Sequence, residues 1–247
     1  MPRHYSPIVK SVPPTRNSVS PGSPTIRVWW ATLDMFREGY LRLLDDGEQR
    51  RRTGYRRERD RARFTLAAAL LKAAVARELD VVARDVSLDR TCFTCGGPHG
   101  RPTVLGARVS CSASHSGPFV AVATSSSGQV GIDVEQITDL AFEPLLDQIV
   151  ANPERVPRTA EEFFRIWTRK EAVLKATGEG LRTPMTSVSM TGADEPPRLL
   201  SPTGRLTSAE VFDLKAPIGA LAAVCRLDVS GAVVEEADAQ ELLDALG

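Results

Sequence analysis

The sequence predicts an α+β fold of two similar subdomains that meet face to face, each a helix packed on a small, mainly antiparallel sheet. Three observations predict it. A helix-then-strands pattern occurs twice along the 247 residues. The two main helical segments align, FTLAAALLKA (64–73) on WTRKEAVLKA (167–176), with threonine, alanine, leucine, lysine and alanine in common. The length suits one large domain or two small ones packed together. Expected boundaries are a disordered tail over 1–24, an N-terminal subdomain over 25–128 and a C-terminal subdomain over 129–247.

Taken in order, TIRVWWATL (25–33) is β-branched and aromatic, and reads as a strand. A helical segment near Asp34–Leu44 follows, then a basic block, RRRTGYRRERDRAR (50–63). The block runs into FTLAAALLKAAVARELD, a helix ending near Leu79. After a Gly/Pro-rich loop, TCFTCGGPHGRPTVL, come three short strands, RVSCSAS, FVAVATS and VGIDVEQI. FEPLLDQIV reads as helical, and a second long helix covers about 160–177, stopped by Gly178 and Gly180. The remainder is strand-like (TSVSM, AEVFDLKA, GALAAVCRL) and closes with a helix at EEADAQELLDALG.

Lys+Arg and Asp+Glu both total 31, and hydrophobic content is 42%, as in ordinary globular proteins. Balanced charge, with acids where a phosphate backbone would have to pass, argues against nucleic acid. No stretch approaches the ~18 apolar residues of a membrane span. The first 25 residues lack the apolar core of a secretory signal. The four cysteines lack disulfide-framework spacing, which points to a reducing cytoplasm.

The second long helix breaks its own pattern. At about 100° per residue, Phe163, Phe164, Trp167 and Leu174 form an apolar stripe, yet Glu171 lies about 40° and Lys170 about 60° from Trp167. Unpaired charges there cost several kcal/mol or neutralise, so a polar partner must face them. The candidate is GIDVE (131–135), where alternation puts Asp133 and Glu135 on one face of a strand. The plain alternative is an edge strand with one solvated face. Adding Glu171 gives three carboxylates that repel unless a cation is present. Oxygen-only ligands favour a hard ion such as Mg²⁺, which often shares carboxylates with substrate phosphates. Lys170 and Lys175 would then serve the phosphates, or else be ordinary helix charges, with Glu171–Lys175 an i,i+4 pair.

GIDVE at 131–135 and WTRKEAVLK at 167–175 resemble the paired motifs of the Sfp-type 4′-phosphopantetheinyl transferases, (V/I)G(I/V)D and (F/W)-x-x-KE-(A/S)-x-x-K. The resemblance extends to HGRP (99–102) and SASHSG (112–117), and covers about residues 50–182 with the motifs in order. It implies a monomer of two pseudo-symmetric halves that moves the phosphopantetheine arm of coenzyme A onto a serine of an apo acyl or peptidyl carrier protein. It also implies Mg²⁺, with Mn²⁺ as a substitute, held by Asp133, Glu135 and Glu171. Lys170 and Lys175 would contact phosphate or pantetheine oxygens, and His115 the 3′-phosphate. Arg63 best matches an arginine on the nucleotide phosphates, Arg56 and Arg57 match more loosely, and Arg101 fits a similar role. Glu171, as ligand, base or both, and Lys175 would be the catalytic pair.

Two rivals remain open: a Mg²⁺-dependent phosphohydrolase using the same acids, and a non-enzymatic carrier-binding module built on the basic block. CFTCGGPHG offers Cys92, Cys95 and His99, with Cys111 as a possible fourth zinc ligand. A second ligand pair at finger spacing is missing, so the preferred expectation is a reduced turn leading into HGRP.

Overall fold

Strict alternation builds the first strand, β1 (Thr25–Thr32). Ile26, Val28 and Trp30 point to one core, and Trp29 and Ala31 to another. The computed structural model describes residues 24–202 and 204–247. The tail expected over 1–24 lies outside the described residues except for Pro24.

After two 3-10 turns, where the sequence suggested a helix near Asp34–Leu44, come α1 (Asp46–Thr53) and α2 (Glu58–Leu79). The first sheet continues with β2 (Leu88–Asp89), β3 (Thr103–Val104), β4 (Ser110–Ser116) and β5 (Phe119–Ser125). β6 (Gln129–Gln136) opens the second sheet, followed by α3 (Leu146–Ile149) and α4 (Ala160–Thr177). β7 (Glu210–Asp213) and β8 (Ala220–Leu227) complete that sheet. β9 (Val233–Asp238) and α5 (Gln240–Asp244) end the chain.

The strand orders are β2-β3-β4-β5-β1-β9 and β6-β8-β7. All pairs are antiparallel except β1 with β9. The result is the expected α+β class, in four layers. α2 packs on the first sheet through Leu66, Leu70 and Val75 against Val120 and Val122. The sheets meet through Ile26, Val28 and Ala121 against Ile132, Ala222 and Val224. α4 covers the outer face of the second sheet, with Val173 and Leu174 on Ala223 and Cys225.

Two further segments depart from expectation. EEADAQELLDALG was expected to be helical, but its first part lies in β9. Backbone pairing with the edge of β1 outweighs the strong helix propensity of Glu and Ala there, since tertiary pairing routinely overrides local preference. This strand and α5, whose Leu242 and Leu243 join the core under α2, carry the end of the chain back onto the first sheet. TSVSM forms no strand. Met185–Ser187 is a 3-10 turn, and the Met190 amide donates to the Glu154 carboxylate rather than to a ladder. Among these residues only an isolated bridge, Met190 to Leu199, remains.

Two local constraints position the site. β6 is an edge strand of its sheet, and alternate serines of β4 cover that edge. Ser110 Oγ and Ser112 Oγ accept from the amides of Val130 and Ile132, at 2.9 and 3.2 Å. Ser114 Oγ and Ser116 Oγ donate to Asp133 Oδ1 and Glu135 Oε2, at 2.7 and 2.5 Å. The second constraint is Gly131. A Cβ there would lie 2.2 Å from the Ala172 carbonyl oxygen and 2.3 Å from the Ala176 amide nitrogen. Only glycine lets the α4 backbone press onto β6.

Gly131→Ala should therefore push α4 outward, at about 1–3 kcal/mol of overpacking cost. Urea unfolding against the parent protein measures the loss; an unchanged midpoint would show that α4 does not rest on β6 as described.

Candidate functional site

Three consecutive charged residues of α4, Arg169, Lys170 and Glu171, are buried, and two of them have receivers. Arg169 donates through Nε and Nη2 to the Asp213 carboxylate, at 2.8 and 2.7 Å, and to the carbonyls of Gly192 and Glu195. Lys170 is fully buried. It pairs with Glu154 at 2.5 Å and donates to the carbonyls of Ile149 and Met185. Burial pushes its pKa down, and Glu154 opposes that push. The expectation that Lys170 contacts phosphate or pantetheine is not supported by this placement. The ammonium is spent on holding the 149–154 and 185–190 loops to α4.

Glu171 has no hydrogen bond or salt bridge to any described residue. It sits one turn before Lys175, and the face it occupies is that of Asp133 and Glu135. Lys175 Nζ donates to Asp133 Oδ1 at 2.6 Å and to Ser114 Oγ at 2.9 Å. Burial raises the pKa of Glu171, and repulsion from Asp133 and Glu135 adds to that, while Lys175 opposes it. Glu135 is raised by burial and by Asp133, against the Ser116 hydrogen bond and the charges of Lys175 and Arg63.

Asp133 Oδ2 is buried without a partner, which is costly for a carboxylate oxygen. Three carboxylates thus face one ammonium, and a divalent cation fits both the excess charge and the orphaned oxygen. Their oxygens are not drawn into a closed group. Among the described residues, only Cys92, Cys95 and His99 bring three ligand atoms within 4.8 Å of one another.

Lys175 also lines a cleft of about 760 Å³ that lies beside the acids. Arg51, Arg90, Arg101 and Arg182 line it as well, against Asp89 and Glu179. This excess of positive charge suits a phosphate-rich ligand. Arg101, from the HGRP segment, donates to the Ala176 carbonyl at 2.9 Å. It thereby satisfies one of the free carbonyls at the end of α4 while facing the cleft.

His115 and Arg63 lie on the α2 side of β4, opposite the serines. His115 is pushed down to about 4, first by burial and then by the charges of Arg63, Lys175 and Arg51. Its Nδ1 is buried without a partner. Arg63 donates to the Gly117 carbonyl at 2.8 Å and to Asp60 at 2.9 Å, and its Nε is unpartnered. The pair presents unused donors and positive charge, as an anion subsite would. Arg56 and Arg57 are exposed before α2 and do not line the cleft.

The structure thus brings together Asp133, Glu135, Glu171 and Lys175, with Arg63, His115 and Arg101 nearby, and places Lys170, Arg56 and Arg57 elsewhere. Sequence reasoning missed Ser114 and Ser116, although their alternation in SCSASHS was visible. It also missed Arg90 and Arg182, whose isolated positions carried no pattern.

Residues 129–223 match the family model described as the 4′-phosphopantetheinyl transferase superfamily. The chain is 29% identical over 171 residues to a Synechocystis protein provisionally named a 4′-phosphopantetheinyl transferase, covering 64% of this chain and 67% of that one. It is 35% identical over 91 residues to the 4′-phosphopantetheinyl transferase AcpT of Salmonella typhimurium, covering 33% and 47%. With AcpT of Escherichia coli it shares 38% over 73 residues, covering 26% and 37%. The matches span about two thirds of the first relative and less than half of the other two. The matched stretch contains the acids of β6 and the whole of α4, so the likeness to the 4′-phosphopantetheinyl transferase superfamily falls on the candidate site itself.

Proposed function

We propose that this protein transfers the 4′-phosphopantetheine arm of coenzyme A to a serine of an apo acyl or peptidyl carrier protein, releasing 3′,5′-ADP. The observation that carries this is the unpartnered Glu171 carboxylate among Asp133, Glu135 and Lys175, beside a cleft lined with arginines. The relatives' names agree with that reading.

In the reaction, the serine oxygen forms a bond to the β-phosphorus of the pyrophosphate. The bond from that phosphorus to the bridging oxygen breaks, and the electron pair leaves with 3′,5′-ADP. Such transfers depend on positioning and charge neutralisation. Asp133, Glu135 and Glu171 would hold Mg²⁺, which when bound neutralises charge on the pyrophosphate oxygens. Arg51, Arg90 and Arg101 would orient the phosphates, while Arg63 and His115 would receive the 3′-phosphate. Lys175 would turn from Asp133 toward ligand oxygens. Glu171, having no protein partner, is free to take the serine proton.

Intact-mass spectrometry of an apo acyl carrier protein and an apo peptidyl carrier domain, incubated with the protein, coenzyme A and Mg²⁺, tests the reading. A serine-dependent gain of the phosphopantetheine arm is expected. Glu171→Gln should fold and lose at least about 10²-fold in rate, the usual scale for a general base. Coenzyme A cleaved without carrier modification would instead favour a hydrolase.

The rate should also fall on the acid side. Glu171 and Glu135 work as carboxylates and their pKa values are raised. Activity should therefore be lost as pH falls through a value above the usual carboxylate range. A profile flat down to that usual range would remove the burial argument.

Coenzyme A should raise the His115 pKa from about 4, because an adjacent phosphate stabilises the imidazolium. An NMR titration of His115 with coenzyme A and with dephospho-coenzyme A checks this. Equal shifts with both would place the 3′-phosphate elsewhere.

A further inference from the structure

The loop from Arg90 to Pro102 joins β2 to β3, which pair as a short antiparallel hairpin. Nothing in the transfer chemistry uses its cysteines, yet its backbone is folded tightly around them. The Gly96 amide donates to the Cys92 carbonyl at 2.8 Å, and the Cys92 amide donates to the Gly97 carbonyl at 2.8 Å. Gly96 has φ of 71°, a left-handed turn that glycine adopts freely. This compact turn points the Cys92 and Cys95 sulfurs toward the His99 ring. Cys95 Sγ stands 3.0 Å from His99 Nε2.

All three ligand atoms lie within 4.8 Å of one another, the only such group of His, Cys, Asp or Glu among the described residues. Bond lengths of about 2.3 Å to sulfur and about 2.0 Å to nitrogen put neighbouring ligands of tetrahedral zinc about 3.5–3.8 Å apart. The group therefore needs movements of about an ångström or less to close. Cys111, considered as a fourth ligand, belongs elsewhere. It is buried in the core under α2, with its sulfur 3.9 Å from the Pro102 carbonyl.

We infer that Cys92, Cys95 and His99 form a zinc site, with the fourth position open to water. Two thiolates and an imidazole select zinc over the hard Mg²⁺ that the carboxylates suit. The ion acts as a staple. It closes the loop whose two ends carry Arg90 and Arg101 into the cleft. It also stiffens the surface on which Arg182, from the turn after α4, rests. Arg182 donates to Thr94, stands 3.6 Å from the Cys92 sulfur and lies 4.2 Å over the Phe93 ring. Zinc binding thereby fixes one wall of the cleft against the other half of the molecule.

The full-length protein, purified without chelator or affinity metal, should carry one zinc per chain by elemental mass spectrometry. Cobalt added after chelation should give a thiolate-to-cobalt charge-transfer band. Zinc should protect two thiols from alkylation, and chelation should release both. It should also lower the melting temperature and open the 90–102 loop to limited proteolysis. Cys95→Ser and His99→Gln should lose the metal, while Cys111→Ala keeps it. Circular dichroism on each variant separates loss of metal from loss of fold. Absence of both zinc and a cobalt band in folded wild-type protein would overturn the assignment, as would zinc retained by Cys95→Ser. A Cys92–Cys95 disulfide in protein purified under reductant would do the same.

Discussion

The seam between the sheets depends on one set of hydrogen bonds, those of the alternate serines of β4 along the free edge of β6. An uncovered edge strand presents unpaired amides and invites association. Here Ser110 and Ser112 satisfy two of those amides, while Ser114 and Ser116 reach the carboxylates of Asp133 and Glu135 further along the same strand. One side-chain type at one spacing thus joins the sheets and holds two acids in place. Moving β4 by a single residue would replace the four serines at the seam with Cys111, Ala113 and His115 together with Val109 or Gly117, according to the direction of the shift.

α4 shows how a buried helix face can carry charge without losing its packing. Arg169 and Lys170 each find a carboxylate and loop carbonyls, so their burial is matched by charge-assisted hydrogen bonds. Their neighbour Glu171 is left unmatched. The aligned position in α2 makes the same point from the other side. Lys72, the counterpart of Lys175, is buried and bound to Glu48 and the Leu43 carbonyl. Equivalent lysines thus hold structure in one helix and face the cleft in the other. The difference comes from what opposes them, a capping-box glutamate in α1 or a strand aspartate in β6.

Much of this was legible in the sequence where periodicity and side-chain chemistry agreed. The spans of α4, β4, β5 and β6 follow from apolar spacing and their bounding turns. The acids stood out because they interrupted an apolar pattern. Lys170 was misplaced for the same reason: interruption shows that a charge is buried but not what receives it. Its partner Glu154 lies in a loop of no recognisable pattern. β9 was hidden because its pairing with β1 joins the two ends of the described chain, a contact no local window contains.

That pairing has a consequence for how the molecule is made. β1 lies among the first described residues, but one of its flanks is covered only by β9, more than two hundred residues later. During vectorial synthesis α2 and β5 can settle on β1 while its other side stays open. The hydrophobic floor under α2 likewise lacks Leu242 and Leu243 until synthesis reaches them. The sheet begun at β1 is therefore sealed only once β9 and α5 have been made, so its closure waits on a segment more than two hundred residues downstream.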